Sequence, residues 1–141
     1  MTKTYWIGAI LAAGMAAAAI GCGGSNNSNP GGPSGGGGGG TTCTAPPTST
    51  TITISNNAVC PQNVTVPRGT QVTFVNSDTI RHEMTSDPHP EHTDCTEINQ
   101  VGNLEVGQSR QTGNLVTPRR CGFHDHLRNE VQALHGSITI Q

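Results

Sequence analysis

The stretch N-V-T-V-P-R-G-T-Q-V-T-F-V-N, residues 63–76, decides the fold. It contains two runs in which apolar and polar residues alternate with a period of two, the pattern of a strand with one buried face. Pro67, Arg68 and Gly69 separate the two runs, and this composition is typical of a turn. The stretch therefore predicts two β-strands joined by a turn.

Similar patterns lie on both sides of this stretch. The segments T-I-T-I-S (51–55) and G-S-I-T-I-Q (136–141) alternate in the same way, and residues 103–115 predict two short strands around a Gly-Gln turn. A helical turn is expected only around residues 130–134. Several short strands separated by turn signals predict an all-β domain, a Greek-key β-sandwich.

The first 21 residues have the order of a secretory signal, with Lys3 ahead of an apolar run of small residues. Ala19, Ile20 and Gly21 stand directly before Cys22 and resemble a bacterial lipobox, although the usual first residue of that motif is leucine. The resemblance implies that residues 1–21 are a lipoprotein signal peptide and that Cys22 is acylated. Ordinary signal cleavage is the alternative.

Residues 22–47 are rich in Gly, Ser and Asn and predict a disordered tether, because they have little apolar surface to bury. The folded domain is predicted at residues 48–141. It carries six arginines against nine acidic residues and no basic patch with interleaved aromatics. Nucleic acid is therefore not expected as a partner.

All six histidines lie between residues 82 and 135. They occupy a long segment predicted to be irregular, residues 78–100, and the stretch before the last strand. Imidazole and thiolate together suit copper, zinc or iron. The clustering therefore predicts a metal site.

His82 follows the strand V-T-F-V-N, and C-G-F-H (121–124) precedes the terminal strand. In this order of residues, from about 51 to 141, the chain resembles the cupredoxins, the plastocyanin-like blue-copper family. The resemblance implies that His82, Cys121 and His124 bind one copper ion in a type-1-like site.

The sequence departs from the family pattern at two places. The axial methionine position falls on Leu127, which cannot bind a metal, and the loop before the last strand is longer than in the family. His126 is therefore a further candidate ligand, and His89 or His92 could serve from the other loop. With more imidazoles, the site would hold a more highly ligated copper ion, or zinc.

The cysteines leave two interpretations open. Without Cys22, an even number remains (Cys43, Cys60, Cys95 and Cys121), and disulfides persist in exported proteins. A Cys60–Cys95 bridge would leave Cys121 free for copper, and we favour this alternative. A Cys95–Cys121 bridge would leave only histidines for the metal.

Several other side chains near the histidines have candidate roles. We expect His135 to be structural and Met84 to pack in the core. Four acids could orient imidazoles, but we expect them to be solvated: Asp87, Glu91, Asp94 and Asp125.

The leading functional hypothesis is an exported, membrane-anchored copper protein that transfers single electrons to redox partner proteins. The second is a non-redox module that binds or delivers copper or zinc, with Cys121 in a disulfide and a metal donor as its partner. A small copper enzyme, such as a dismutase or a nitrogen-oxide reductase, is a third.

Overall fold

The computed structural model of the chain describes residues 43–141. The predicted signal segment, the lipidation site Cys22 and most of the predicted tether lie outside the described residues, so those predictions stay predictions. Within residues 43–141, none of the helical segments has the length and apolar character needed to cross a membrane.

The described residues form two β-sheets that enclose one core. The strands, in chain order, are β1 (Thr51–Ser55), β2 (Ala58–Cys60), β3 (Asn63–Val66), β4 (Thr73–Asn76), β5 (His82–Ser86), β6 (Gly102–Leu104), β7 (Ser109–Gln111), β8 (Arg119–Asp125) and β9 (Gly136–Ile140). The first sheet has the order β2-β1-β4-β7, and the second has the order β3-β9-β8-β5-β6. Three short 3-10 turns complete the secondary structure: Ile98–Gln100, His126–Arg128 and Gln132–Leu134.

The core between the sheets is aliphatic apart from two phenylalanines. Phe74 of β4 and Phe123 of β8 come from opposite sheets and meet edge to face, with ring centroids 5.2 Å apart. Both are fully buried. Because edge-to-face pairs add to the energy of apolar burial, this contact joins the two sheets at the centre of the domain.

The predicted strands of residues 63–76 are confirmed as β3 and β4. They do not pair with each other, since β3 pairs with β9 and β4 pairs with β1. The turn between them, with Gly69 at a φ of 82°, therefore carries the chain from one sheet to the other. The alternating patterns bury Val64 and Phe74 in the same core from its two sides.

Two strands lie where the sequence predicted irregular structure. β5 falls inside residues 78–100, and β8 contains the Cys121–His124 motif. The last five residues of β8 include four that are fully buried, Cys121, Phe123, His124 and Asp125. Because this strand buries polar side chains as well as apolar ones, it lacks the alternation that identifies a strand in sequence.

The cysteine pairing differs from the favoured prediction. The structure has disulfides Cys43–Cys60 and Cys95–Cys121, so the prediction of a Cys60–Cys95 bridge with a free Cys121 is wrong. Cys60 lies in β2 of the first sheet and Cys121 in β8 of the second. The first bridge also ties Cys43, which falls within the predicted tether, to β2.

Asp78 stabilises the turn before β5 through its carboxylate. Its oxygens accept hydrogen bonds from the backbone N–H groups of Asn57 and Thr79, each at 2.7 Å, and from His82 Nε2 at 3.3 Å. Burial acts to raise the pKa of Asp78, but these hydrogen bonds outweigh it and hold the pKa below 3.8. The ionised form therefore stabilises the fold above pH 3.8, and this contribution is lost as the pH falls through the lowered pKa.

Replacing Asp78 with asparagine is expected to lower the free energy of unfolding by about 1–3 kcal/mol at pH 7, because three donors lose a charged acceptor. The difference from the unmodified chain should shrink below about pH 4, where the native carboxylate becomes protonated. Urea unfolding at pH 7, 5 and 3 measures this difference in the free energy of unfolding. The control is Glu91→Gln, which replaces an exposed acid. A difference that stays constant from pH 7 to pH 3 would contradict this account.

Candidate metal centre

Four histidines come together beside the second sheet. They are His89, His92, His124 and His126, and one ring nitrogen from each lies within 4.8 Å of the others. Two come from the segment after β5, one from the end of β8 and one from the 3-10 turn that follows β8. Because metal–nitrogen bonds to imidazole are about 2.0–2.1 Å long, ligands on opposite sides of one ion are about 4 Å apart. Only a small contraction would bring all four onto a single ion.

His124 lies on the face of the second sheet that points away from the core, here called the outer face and defined by Thr85 and His124. These two residues are opposite each other in register, with Thr85 Oγ1 3.4 Å from His124 Nε2. The residues on either side of His124, Phe123 and Asp125, point to the opposite, core face, which also carries Met84. His124 is nevertheless fully buried, because the segment after β5 covers the outer face.

The Nδ1 atom of His124 lies 2.6 Å from Asp87 Oδ1. A carboxylate only accepts, so Nδ1 donates and the neutral ring presents the lone pair of Nε2. Burial lowers the pKa of His124, and the nearby His92 and His135 act in the same direction, while Asp87 opposes them. The imidazole is therefore held in the neutral form that a metal requires.

Gly122 makes room for this carboxylate. A Cβ atom at position 122 would overlap the side chain of Asp87. The backbone N–H of Asp87 also donates to the carbonyl of Gly122, at 3.1 Å. The glycine in C-G-F-H therefore allows Asp87 to lie across β8 and to reach His124.

His92 and His126 face each other with their ring nitrogens. His92 Nδ1 donates to the carbonyl of Ser86 at 2.9 Å, which directs Nε2 toward the other histidines. His92 Nε2 lies 3.0 Å from His126 Nδ1, so these two nitrogens are close enough to bind one metal ion.

His89 completes the group from the solvent side. Its ring centroid is 5.0 Å from that of His126 and 5.4 Å from that of His124, and the residue is exposed. His135 lies next to the group, 5.7 Å from His124 between ring centroids, but its Nε2 donates to the carbonyl of Asn129 at 2.7 Å. The four ligand candidates thus range from a buried ring to an exposed one.

His82, predicted as the first copper ligand, is not part of this group. It is fully buried, with Nδ1 2.8 Å from Asp125 Oδ2 and Nε2 3.3 Å from Asp78 Oδ2. His82 and Thr85 are three positions apart on one strand, so their side chains point to opposite faces. Since Thr85 shares the outer face with His124, His82 points away from the four-histidine group.

The predicted thiolate ligand is also missing. Cys121 is fully buried and bonded to Cys95, so no thiolate is available, and the prediction of a type-1-like set with Cys121 is corrected. Cys121 and His124 both belong to β8, where residues three apart again face opposite sides. Leu127, predicted at the axial position, is 38% exposed and has no counterpart in the four-histidine group.

The four acids near the histidines differ in exposure. Asp125 is fully buried, contrary to the prediction, whereas the Asp87 side chain, which bonds His124, is 44% exposed. Asp94 is exposed, as predicted, and its Oδ2 accepts from the backbone N–H of Gly122 at 3.1 Å. Glu91 is exposed, as predicted. The signal that could have located the site is the pair of short spacings His89-x₂-His92 and His124-x-His126, which concentrates four imidazoles in two segments.

The arrangement of the two sheets matches known proteins. A purple cupredoxin from Nitrosopumilus maritimus superposes with a TM-score of 0.51 at 18% identity, over 66% of this chain and 100% of that one. The oxidised plastocyanin from Dryopteris crassirhizoma superposes with a TM-score of 0.52 at 18% identity, over 64% of this chain and 99% of that one. This domain has the cupredoxin fold.

A mutant fern plastocyanin gives a TM-score of 0.53 at 17% identity, over 64% of this chain and 99% of that one. No family model matches the sequence, and no curated protein matches it. The predicted Greek-key cupredoxin-like β-sandwich is confirmed.

Replacing Asp87 with asparagine is expected to lower the affinity for Cu(II) about tenfold to a hundredfold, the usual effect of losing the carboxylate behind a ligating histidine. The variant replaces the charged acceptor of His124 Nδ1 with a neutral amide, which weakens the hydrogen bond that fixes the orientation of the ring. Titration of the full chain against a competing chelator measures the change, and Glu91→Gln, a nearby exposed acid, is the control. Equal affinities for the Asp87→Asn variant and the unmodified chain would mean that Asp87 does not orient a ligand.

Proposed function

We propose that this cupredoxin domain binds one copper ion through His89, His92, His124 and His126, without a thiolate ligand. The observation that carries the proposal is the approach of four ring nitrogens to within 4.8 Å of one another. Hydrogen bonds orient two of these rings before any metal binds, through Asp87 for His124 and through the Ser86 carbonyl for His92. Oriented, neutral imidazoles are the form in which histidine binds transition metals.

Copper is the ion we favour over zinc. Imidazole suits both metals, but for a given set of ligands the affinity of divalent ions peaks at copper. Because all four candidate ligands are nitrogen atoms, no thiolate is present to change this order of affinities. Zinc is the expected competitor, and direct competition between Cu(II) and Zn(II) decides between them.

The role that the site supports best is holding and delivering copper. A type-1 site needs a cysteine ligand, and Cys121 is bonded to Cys95. His89 is exposed at the edge of the group, so a donor or acceptor protein could reach the ion there. Single-electron transfer is the competing role, and cyclic voltammetry of the copper-bound chain tests it.

We propose an extracytoplasmic location with a membrane anchor at Cys22. Both disulfides of the described domain support an oxidising compartment. The signal-like residues 1–21 and the following cysteine support export and lipidation. The expected partners are then proteins that supply or accept copper outside the cytoplasm.

Addition of Cu(II) to the full chain tests the proposal. We expect one equivalent to bind, with an electron paramagnetic resonance spectrum of nitrogen ligands and only weak visible absorption. An intense visible charge-transfer band that Cys121→Ser abolishes would overturn the proposal and restore the thiolate site. Failure to bind either Cu(II) or Zn(II) would also overturn it.

A further inference from the structure

Asp125, the last residue of β8, lies between the ligand candidates His124 and His126 in the sequence H-D-H, but its side chain points away from that of His124. His124 lies on the outer face, whereas Asp125 is opposite Met84 in register and points to the core face. Asp125 is fully buried. A buried carboxylate is costly unless it is paired and hydrogen-bonded, so its contacts identify its role.

Four donors surround the carboxylate of Asp125. Oδ1 accepts from the backbone N–H groups of Glu83, at 3.0 Å, and Leu127, at 3.1 Å. Oδ2 is contacted by His82 Nδ1 at 2.8 Å and by Arg128 Nη1 at 3.3 Å. These donors come from β5 and from the 3-10 turn that follows β8, so the carboxylate joins the two elements.

His82 supplies the only buried side-chain donor among these four contacts. Its second nitrogen faces Asp78, so each ring nitrogen lies next to a carboxylate oxygen. Both ring nitrogens of His82 are therefore engaged with carboxylates on the core side of the sheet and not with the four-histidine group.

We propose that the buried His82–Asp125 pair is a positioning unit for the copper site, which sets the directions of His124 and His126. The inference rests on the proposed function, because it assumes that these two histidines bind the ion. His82 then has a role at the site without being a ligand: it holds Asp125, and Asp125 holds the backbone of β5 at Glu83 and of the following turn at Leu127.

The backbone geometry explains how one carboxylate orients two rings. Successive side chains of a strand point to opposite faces, so fixing Asp125 on the core face fixes His124 on the outer face. Asp125 is also the N-cap of the 3-10 turn His126–Arg128, with its side chain accepting from Leu127. The cap stabilises the turn that brings His126 Nδ1 to within 3.0 Å of His92 Nε2.

Two variants of the full chain test this positioning role. Asp125→Asn keeps the volume but faces the donors with an uncharged amide, and His82→Gln removes the imidazole that pairs with the carboxylate. We expect Asp125→Asn to lower Cu(II) affinity about tenfold to a hundredfold and His82→Gln to lower it by a smaller factor. Both should change the Cu(II) hyperfine splitting in the electron paramagnetic resonance spectrum while retaining the nitrogen ligands.

Glu97→Gln is the matched control, because Glu97 also contacts β8, through Arg119 at 3.1 Å, but contacts neither the His82–Asp125 pair nor the four-histidine group. It should leave the affinity and spectrum unchanged. A lower unfolding temperature with unchanged affinity and spectrum in both test variants would show a purely structural role and overturn the inference. If Asp125→Asn does not fold, the affinity and spectrum of His82→Gln decide.

The two proposals fail in different ways. If the unmodified chain binds no Cu(II), the proposed function fails. If it binds one ion through nitrogen ligands and the variants match it, only the positioning role fails. Loss of one nitrogen ligand from the spectrum of His82→Gln would make His82 a ligand and would overturn the positioning role.

Discussion

Replacing His124 with glutamine is expected to lower the affinity for Cu(II) by about a hundredfold. A four-ligand metal site has an apparent binding free energy of about 10–16 kcal/mol, so one ligand contributes about 3 kcal/mol, which corresponds to about a hundredfold in affinity. His124 is the strongest test because it is the only fully buried ligand candidate and is already bonded to Asp87. Titration of the full chain with Cu(II) against a competing chelator measures the change.

His135→Gln is the matched control for this experiment. His135 is the histidine beside the group whose Nε2 is occupied by the Asn129 carbonyl, so its loss should change the affinity by less than about twofold. A chain that keeps its full affinity after His124→Gln would contradict the four-histidine site.

Removing the Cys95–Cys121 bridge is expected to weaken both the fold and the metal site. Replacing both cysteines with alanine should lower the free energy of unfolding by about 2–5 kcal/mol, the usual effect of losing a native disulfide. Cys95 follows His92 by three residues, and Cys121 precedes His124 by three. Because the bridge joins the two segments that carry the ligands, we also expect Cu(II) affinity to fall at least about tenfold through loss of preorganisation.

The other disulfide provides the control. Cys43→Ala with Cys60→Ala removes a bridge of similar loop length, with a sequence separation of 17 compared with 26. That bridge lies beside β2 in the first sheet, so its loss should lower stability by a similar amount and leave Cu(II) affinity unchanged. Denaturant unfolding and Cu(II) titration of both double variants measure the two effects. Equal Cu(II) affinities in the two double variants would show that the Cys95–Cys121 bridge has no role at the site.

Strands in which apolar and polar residues alternate were predictable from the sequence, whereas β5 and β8, which lie at the metal centre, were not. Residues 51–55, 63–76 and 136–141 bury one face and expose the other, so their periodicity shows in the sequence. β5 and β8 bury polar side chains on both faces, including His82, His124 and Asp125. Their hydrogen-bonding partners come from distant segments, so the strand pattern is hidden.

His82 and Cys121 lie apart from the four-histidine group for one geometric reason. The resemblance implied that Cys121 and His124 share a loop and converge with His82 on one ion. The structure places Cys121 and His124 in one strand, where residues three apart face opposite sides. His126, given as a further candidate, lies in the four-histidine group, together with His89 and His92.

The sequence by itself determined the all-β sandwich, through alternating strands and turns, and it concentrated the histidines in two segments near the end of the chain. Only the tertiary structure decided which histidines meet and which cysteines pair. Strand alternation turns His124 outward and Cys121 and His82 inward, and the pairing of β5 with β8 brings the two histidine-bearing segments together. These are consequences of strand register, which depends on contacts between residues about 40 positions apart that local sequence patterns do not encode.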